Sequence, residues 1–191
     1  MRDLRGSLVR TTVAVLLGSA VLTGCAEKQE ASTTLPTTEA APTSGPPALG
    51  PADFPVPDEA RTKDAAGAEA FLHYWIELLN RQRAIPSGDA LRDLGPECQE
   101  CLRIAHVYDE AAGSGRRFQG GDFSVESLGT PVIEDDEAVI NFFAGQEAIA
   151  LVDSAGATVE NLPTGSHLGS GMRLAWSPDQ QGWLVTGFAI G

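Results

Sequence analysis

Cys98 and Cys101 are separated by two residues and form the one cluster in this sequence that is capable of redox chemistry. A Cys-x-x-Cys pair can form a structural disulfide, act as a redox-active dithiol or supply two ligands to a metal. Zinc would need two further ligands, and His106 would lie well away from both thiols around a regular helix. In a regular helical turn the two Cβ atoms would also be too far apart for a disulfide, so the turn would have to distort or the bond would be strained.

The remaining cysteine, Cys25, ends a short apolar run near the start of the chain. Three arginines precede the apolar core at residues 13–17, and small residues come directly before the cysteine, which is the layout of a secretory signal peptide. The run is too short to be a permanent membrane span. Leu22-Thr23-Gly24-Cys25 closely resembles the lipobox of bacterial lipoproteins. The resemblance implies cleavage before Cys25 and a diacylglycerol group on its thiol; an ordinary signal peptide with a chance cysteine is the alternative.

Acylation of Cys25 would leave two thiols in an exported chain, where the environment is oxidising. We therefore expect a structural disulfide between Cys98 and Cys101, with redox catalysis and metal binding as the alternatives. The redox alternative is less consistent with the sequence, because the pair follows a helical segment and a Gly-Pro turn and not a strand of a βαβ unit. No cofactor or metal site is predicted.

The charge and composition of the chain predict how it is organised. Its formal net charge is −13, and the lysines and arginines are scattered, which argues against a nucleic-acid partner and against binding to anionic lipid surfaces. Membrane contact is instead expected through the lipid anchor. Residues 26–52 carry too few large apolar side chains to fold. We predict a signal peptide at 1–24, the acylated cysteine and a disordered tether at 25–52, and one globular domain at 53–191.

Hydrophobic periodicity predicts that the domain has helices first and strands afterwards. A long amphipathic helix is expected over 65–84, a short helical turn over 89–94, and a third helix that starts at Gly95-Pro96 and ends near 113–115. Its apolar side is predicted to hold Cys101, Leu102, Ala105, Tyr108 and Ala112. Alternating segments near 123–125, 139–143, 148–152, 172–176 and 183–190 predict four to six antiparallel strands. The expected class is α+β, with N-terminal helices packed on a curved, cone-like antiparallel sheet.

Candidates for acid–base chemistry are few. His73 and His106 fall on the polar sides of their helices, and His167 lies in a Gly-rich segment that we interpret as a flexible loop. The run from Glu134 to Glu137 predicts a solvated hairpin turn, because successive strand residues point in opposite directions and cannot converge on one ion.

One stretch of the domain resembles a known family. The residues that carry the resemblance are Gly67-Ala68-Glu69-Ala70-Phe71, Tyr74-Trp75, Leu79-Asn80, Gly88-Asp89, Leu91 and Cys98-x-x-Cys101. They are similar to the signature of uncharacterised lipoproteins from high-GC Gram-positive bacteria, which implies an envelope location and a disulfide but no activity. The layout is similar to the nuclear-transport-factor-like fold, in which a long helix and a bent sheet enclose a pocket.

These observations favour a non-catalytic domain held by its lipid at the extracytoplasmic face of the cell membrane. It is expected to bind a small apolar ligand or another envelope protein. Six aromatic residues are candidates for either a pocket lining or the core: Tyr74, Trp75, Tyr108, Phe142, Trp176 and Trp183. The alternatives are an enzyme of isomerase or dehydratase type built on the cone fold, and a protein-interaction or spacer domain.

Overall fold

The computed structural model describes residues 45–191. Cys25, the predicted signal peptide and most of the predicted tether lie outside the described residues. Between 45 and 191, no helix is long and apolar enough to cross a membrane. The helices are α1 (Ala65–Ala84), α2 (Asp89–Leu94) and α3 (Gln99–Gly113), preceded by a 3₁₀ turn at Asp58–Arg61. The strands are β1 (Arg117–Gly120), β2 (Phe123–Leu128), β3 (Val132–Glu134), β4 (Glu137–Gln146), β5 (Ile149–Val152), β6 (Thr158–Leu162), β7 (Gly165–Ser177) and β8 (Gly182–Ala189).

The predicted bounds of α1 and α2 are confirmed. Asp64 caps α1: its carboxylate accepts a hydrogen bond from the Gly67 N–H at 2.8 Å, which satisfies one of the free amides of the first turn. This hydrogen bond and a second one from Thr62 hold the pKa of Asp64 below its usual value.

Helix α3 starts later than predicted. Gly95 and Cys98 are joined by a turn, in which the Cys98 N–H donates to the Gly95 carbonyl at 3.2 Å, and Cys98 is the extended N-cap residue. Within this helix Ala111 is buried on the inner side, Ala112 is exposed and Leu102 is half-buried. The expected apolar side was therefore wrong at Ala112.

The strands form two antiparallel sheets. The five-stranded sheet has the order β2-β4-β7-β8, with β3 also paired to β4, and the three-stranded sheet has the order β1-β5-β6. The α+β class with helices packed on antiparallel sheets is confirmed, but the prediction of four to six strands in one sheet was wrong. β1, β3 and β6 are short and mostly exposed, so they lack the alternating apolar pattern by which strands are recognised.

Helix α1 lies on the inner face of the five-stranded sheet and forms most of the core with it. β4 alternates exposed and buried residues, as expected for a strand with one face on the core. The largest fully buried side chains of the helices and sheet are Phe71, Leu72, Trp75, Leu78, Leu79, Leu91, Leu94, Ile140, Met172, Leu174 and Trp183.

The segment before α1 is fastened to the turn between β7 and β8. Leu49 is 5% exposed and its carbonyl accepts the Val56 N–H at 2.8 Å. The Arg61 guanidinium donates to the Pro47 carbonyl at 2.8 Å and to the Gln181 carbonyl at 3.1 Å. The folded part of the chain therefore begins before residue 53, within the segment that composition assigns to the tether.

Candidate functional site

An apolar groove lies between α3 and the three-stranded sheet. It consists of two adjoining cavities of about 620 Å³ and 490 Å³ that share Val107, Phe118, Ile149 and Leu162. The first cavity extends along Ala111 and Leu151, and the second extends toward the ends of β7 and β8 at Leu168 and Phe188. We call this feature the α3 groove. Volumes of this size are typical of small-molecule sites.

The sheet side of the α3 groove is formed by two cross-strand rows. One row runs from Phe118 through Leu151 to Glu160, and the next runs from Gly120 through Ile149 to Leu162. Phe118 is anchored by Tyr108 of α3, because the two rings meet edge to face with their centroids 5.7 Å apart. Farther from this contact the apolar side chains are less covered, and Leu162 is 49% exposed. The sheet therefore presents an apolar face that the helix covers only at one end.

Two polar residues of α1 hold the floor of the groove in place, and the first is Arg83. The buried Arg83 guanidinium donates to the Gly121 carbonyl and, at 2.6 Å, to the Asp122 carboxylate. It also lies over the Phe123 ring, with its central carbon 5.5 Å from the ring centroid. The second is Asn80, which bonds to the backbone of Phe123. Arg83 is thus fully engaged by the chain that links β1 to β2, and it positions that link.

This link changes direction at two consecutive glycines. Gly120 and Gly121 have φ values of +66° and +80°, a region that glycine enters without the steric cost of a side chain. A Cβ atom on Gly121 would lie 2.5 Å from the Ile149 Cβ, so the groove residue Ile149 packs directly against the bare backbone of Gly121. The close approach of these two residues places the link from β1 to β2 directly against β5.

Glu100, at the rim of the groove, and Tyr108, in its lining, have shifted pKa values with clear physical causes. Arg103 donates two hydrogen bonds to Glu100, from Nε at 2.8 Å and from a terminal nitrogen at 2.6 Å. These bonds lower the pKa of Glu100, so its carboxylate stays ionised. Burial raises the pKa of Tyr108 to about 12, so its hydroxyl stays protonated. The groove therefore offers apolar walls and fixed charges at its rim.

Of the six aromatic residues considered for a pocket, Tyr108 lines the α3 groove. Trp75 and Trp183 are fully buried in the core, and Trp176 meets Trp183 edge to face at 5.2 Å. Tyr74 stacks on Phe54 and donates to its carbonyl at 2.9 Å, and Phe142 is buried in β4.

The sequence pattern alone does not predict a site at the groove residues Val107, Phe118, Ile149, Leu151 and Leu162. Their local signal is weak, because β1 and β6 are short and one face of each has little cover. The site forms only when a helix and strands that are distant along the chain come together.

Cys98 and Cys101 form a disulfide at the start of α3, outside the groove. Both residues are fully buried, and their Cα atoms are 5.1 Å apart. The spacing of the two cysteines predicts either a distorted helical turn or a strained bond. The extended backbone of the N-cap residue Cys98 brings the pair together without changing the helix that follows it.

The histidines do not form a common site. His73 and His106 are exposed on their helices, and the side chain of His106 lies 3.7 Å from Glu110. His167 is part of β7, so its assignment to a flexible loop was wrong. Its backbone N–H donates to Glu126 at 2.8 Å, and its φ of +51° fits the irregular pairing of β4 with β7 nearby.

The run from Glu134 to Glu137 forms the turn between β3 and β4, as expected.

The described residues contain no cluster of three or more histidine, cysteine or carboxylate side chains that could hold a metal. The Cys98 and Cys101 sulfurs are bonded to each other, so neither thiolate is available as a ligand.

Neither a model of a known protein family nor a curated protein matches the sequence. Similar solved structures include the intermembrane space region of the chloroplast protein ARC6, with a TM-score of 0.48, 18% identity, and coverage of 68% of this chain and 97% of that chain. A nuclear transport factor 2-like superfamily protein from Salmonella enterica is similar with a TM-score of 0.42 and 13% identity. The match covers 67% of this chain and 92% of that chain. The protein Aln2 from a Streptomyces species is similar with a TM-score of 0.36 and 14% identity. The match covers 64% of this chain and 90% of that chain.

Proteins of the nuclear-transport-factor-like superfamily are therefore among the structural neighbours. At these identities and TM-scores the similarities carry no conclusion about activity or partners, and the α+β class rests on the strands and helices of the chain itself. The lipoprotein family that the sequence resembles is not confirmed.

Proposed function

We propose that this chain is a lipid-anchored, extracytoplasmic domain of nuclear-transport-factor-like type that binds a small apolar or amphipathic molecule in the α3 groove. The observation that carries the proposal is the size and lining of the groove. A groove of this kind gains binding energy from the apolar area that a ligand removes from water.

Exposure on both sides of the groove supports this proposal. Val107 of α3 is 37% exposed and Leu162 of β6 is 49% exposed, so apolar surface on each side remains open to an occupant. The rim carries the paired Glu100 and Arg103, which can contact the polar end of an amphipathic molecule while its apolar part lies against Ile149. The largest fully buried side chains of the core, such as Trp75 and Trp183, do not line the groove.

The groove is tested with the neutral fluorescent probe N-phenyl-1-naphthylamine on the full chain. The probe should bind with increased emission, and lauric acid should displace it. Ile149→Asp places a charge on the groove wall and should weaken probe binding by at least about tenfold. Val132→Asp is the matched control, because Val132 is an exposed valine on β3 away from the groove, and it should bind the probe like the unmodified chain. Equal binding by both variants would overturn the proposal.

The anchor is tested separately, since Cys25 lies outside the described residues. Cells that produce the full chain are labelled with an alkyne fatty acid, which should become attached to the protein. Cys25→Ala should abolish the label, and Cys98→Ser should retain it. A label that persists in Cys25→Ala, or is absent from the unmodified chain, would contradict lipid anchoring and leave the groove result unaffected.

A further inference from the structure

Strand β6 forms an open edge of the three-stranded sheet. It pairs with β5 on one side, and no strand of the described chain pairs with its other side. All five of its residues, Thr158–Leu162, are exposed. An edge strand presents unpaired N–H and C=O groups, which are a template for a further strand.

The side chains of β6 indicate what such a strand would carry. Glu160 and Leu162 are two residues apart and therefore lie on the same face, where both line the α3 groove. They end the two cross-strand rows that start at Phe118 and Gly120. An added strand would lengthen both rows, so one of its residues would lie beside the Glu160 carboxylate and the residue two positions away beside Leu162.

The charge of Glu160 indicates which kind of strand would pair with β6. Glu160 makes no ion pair with any lysine or arginine of residues 45–191, so a basic side chain on the added strand would gain a cross-strand partner there. A second copy of the chain is a poor occupant. Glu160 is the middle residue of β6, and symmetric antiparallel pairing of two copies in full register would oppose their Glu160 carboxylates. The net charge of −13 also repels a second copy.

We infer that β6 binds an extended basic peptide segment by strand addition, with a lysine or arginine beside Glu160 and an apolar residue beside Leu162. The peptide would continue the small sheet and cover the open side of the α3 groove. This interaction goes beyond the proposed small-molecule function, because it depends on the backbone edge of β6 and not on the groove volume.

The probe is a seven-residue peptide in which lysine and valine alternate at every second position, with threonine between them. Added to the full chain, it should slow amide hydrogen exchange at 158–162 and leave the exchange of β2 and β8 unchanged. A version of the peptide that is N-methylated at alternate amides, so that one hydrogen-bonding edge is lost, should bind at least about tenfold more weakly.

Charge reversal provides the decisive comparison. Glu160→Lys should weaken binding of the lysine peptide roughly fivefold and favour a matched peptide with glutamate in place of lysine. Glu69→Lys makes the same change on the exposed side of α1 and should leave the preference for the lysine peptide unchanged. The inference is overturned if β6 gains no protection, if protection appears at β2 or β8, or if the chain pairs with itself through β6. Binding of N-phenyl-1-naphthylamine is measured on the unmodified chain without peptide, so failure of the groove proposal and failure of this inference are distinguishable.

Discussion

The side-chain amide of Asn80 forms hydrogen bonds with both backbone polar groups of Phe123. Its nitrogen donates to the Phe123 carbonyl and its oxygen accepts the Phe123 N–H, each at 2.9 Å. Asn80 thereby acts on the first residue of β2 as a neighbouring strand would, and it joins α1 to the link between the two sheets. Asn80 and Arg83, which lies one turn later, thus attach the end of α1 to the chain that links β1 to β2 beside the α3 groove.

Asn80→Ala should therefore destabilise the chain by about 2 kcal/mol, because two hydrogen bonds are lost and the Phe123 peptide groups keep no partner. Urea unfolding should show a lower midpoint with an unchanged slope. Asn161→Ala, at an exposed asparagine of β6, is the control and should change stability by less than about 0.5 kcal/mol. Equal stability of the two variants would show that the Asn80 contacts carry no net energy.

Gly121→Ala tests the close contact between the link and the groove wall. A side chain at φ +80° is strained, and the added Cβ would meet the Ile149 Cβ at 2.5 Å, so we expect a loss of at least about 2 kcal/mol. Gly113→Ala is the matched control, because a Cβ at this last residue of α3 meets no atom within 4 Å. The control should gain up to about 1 kcal/mol from its helix propensity. Thermal unfolding of both variants measures the difference, and a neutral Gly121→Ala would contradict the packing described here.

The sequence predicts parts of this fold well where the signal is local. The apolar spacing from Phe71 to Leu79, together with the cap residue Asp64, is enough to define α1, because all of the information lies within one helix. β6 gives no comparable signal. Its residues are exposed, and its strand conformation depends on pairing with β5.

The groove is less predictable for the same reason. Large aromatic residues such as Trp183 are conspicuous in the sequence, but their size makes them effective core fillers, and the core is where Trp183 lies. Ile149 and Leu162 become groove residues because the small sheet stands away from α3 at the Gly120-Gly121 link. The Asn80 and Arg83 contacts that hold this link in place span 38 or more residues of sequence.

The disulfide between Cys98 and Cys101 is expected to be structural. Both cysteines are fully buried, so a dithiol reductant should reach the bond only after the chain opens. Thiol labelling in the presence of dithiothreitol should therefore appear across the urea unfolding transition and not before it. Replacing both cysteines with serine should cost about 2 kcal/mol, the value expected for closing a loop of this length. Rapid reduction of the native chain, with turnover of a disulfide substrate such as insulin, would instead support the redox alternative.

The contact between Asp109 and Arg92 should make stability depend on pH. The Asp109 carboxylate accepts hydrogen bonds from Arg92 and, at 2.8 Å, from the Gly88 N–H, and so joins the start of α2 to α3. The hydrogen bond from Arg92, followed by that from Gly88, holds the pKa of Asp109 below its usual value of 3.8. A carboxyl group whose pKa is lower in the folded chain stabilises it fully above the unfolded pKa. This stabilisation is lost as the pH falls through the folded value.

Asp109→Asn should therefore be less stable than the unmodified chain at pH 6, and the difference should shrink as the pH falls below about 4. Asp109 is partly exposed, so solvent screening should keep the difference below about 1 kcal/mol. Urea unfolding at a series of pH values measures it. Asp179→Asn, at an exposed carboxylate in the turn between β7 and β8, should keep the pH profile of the unmodified chain. A constant difference for Asp109→Asn at all pH values would mean that the residue acts through shape and not through its charge.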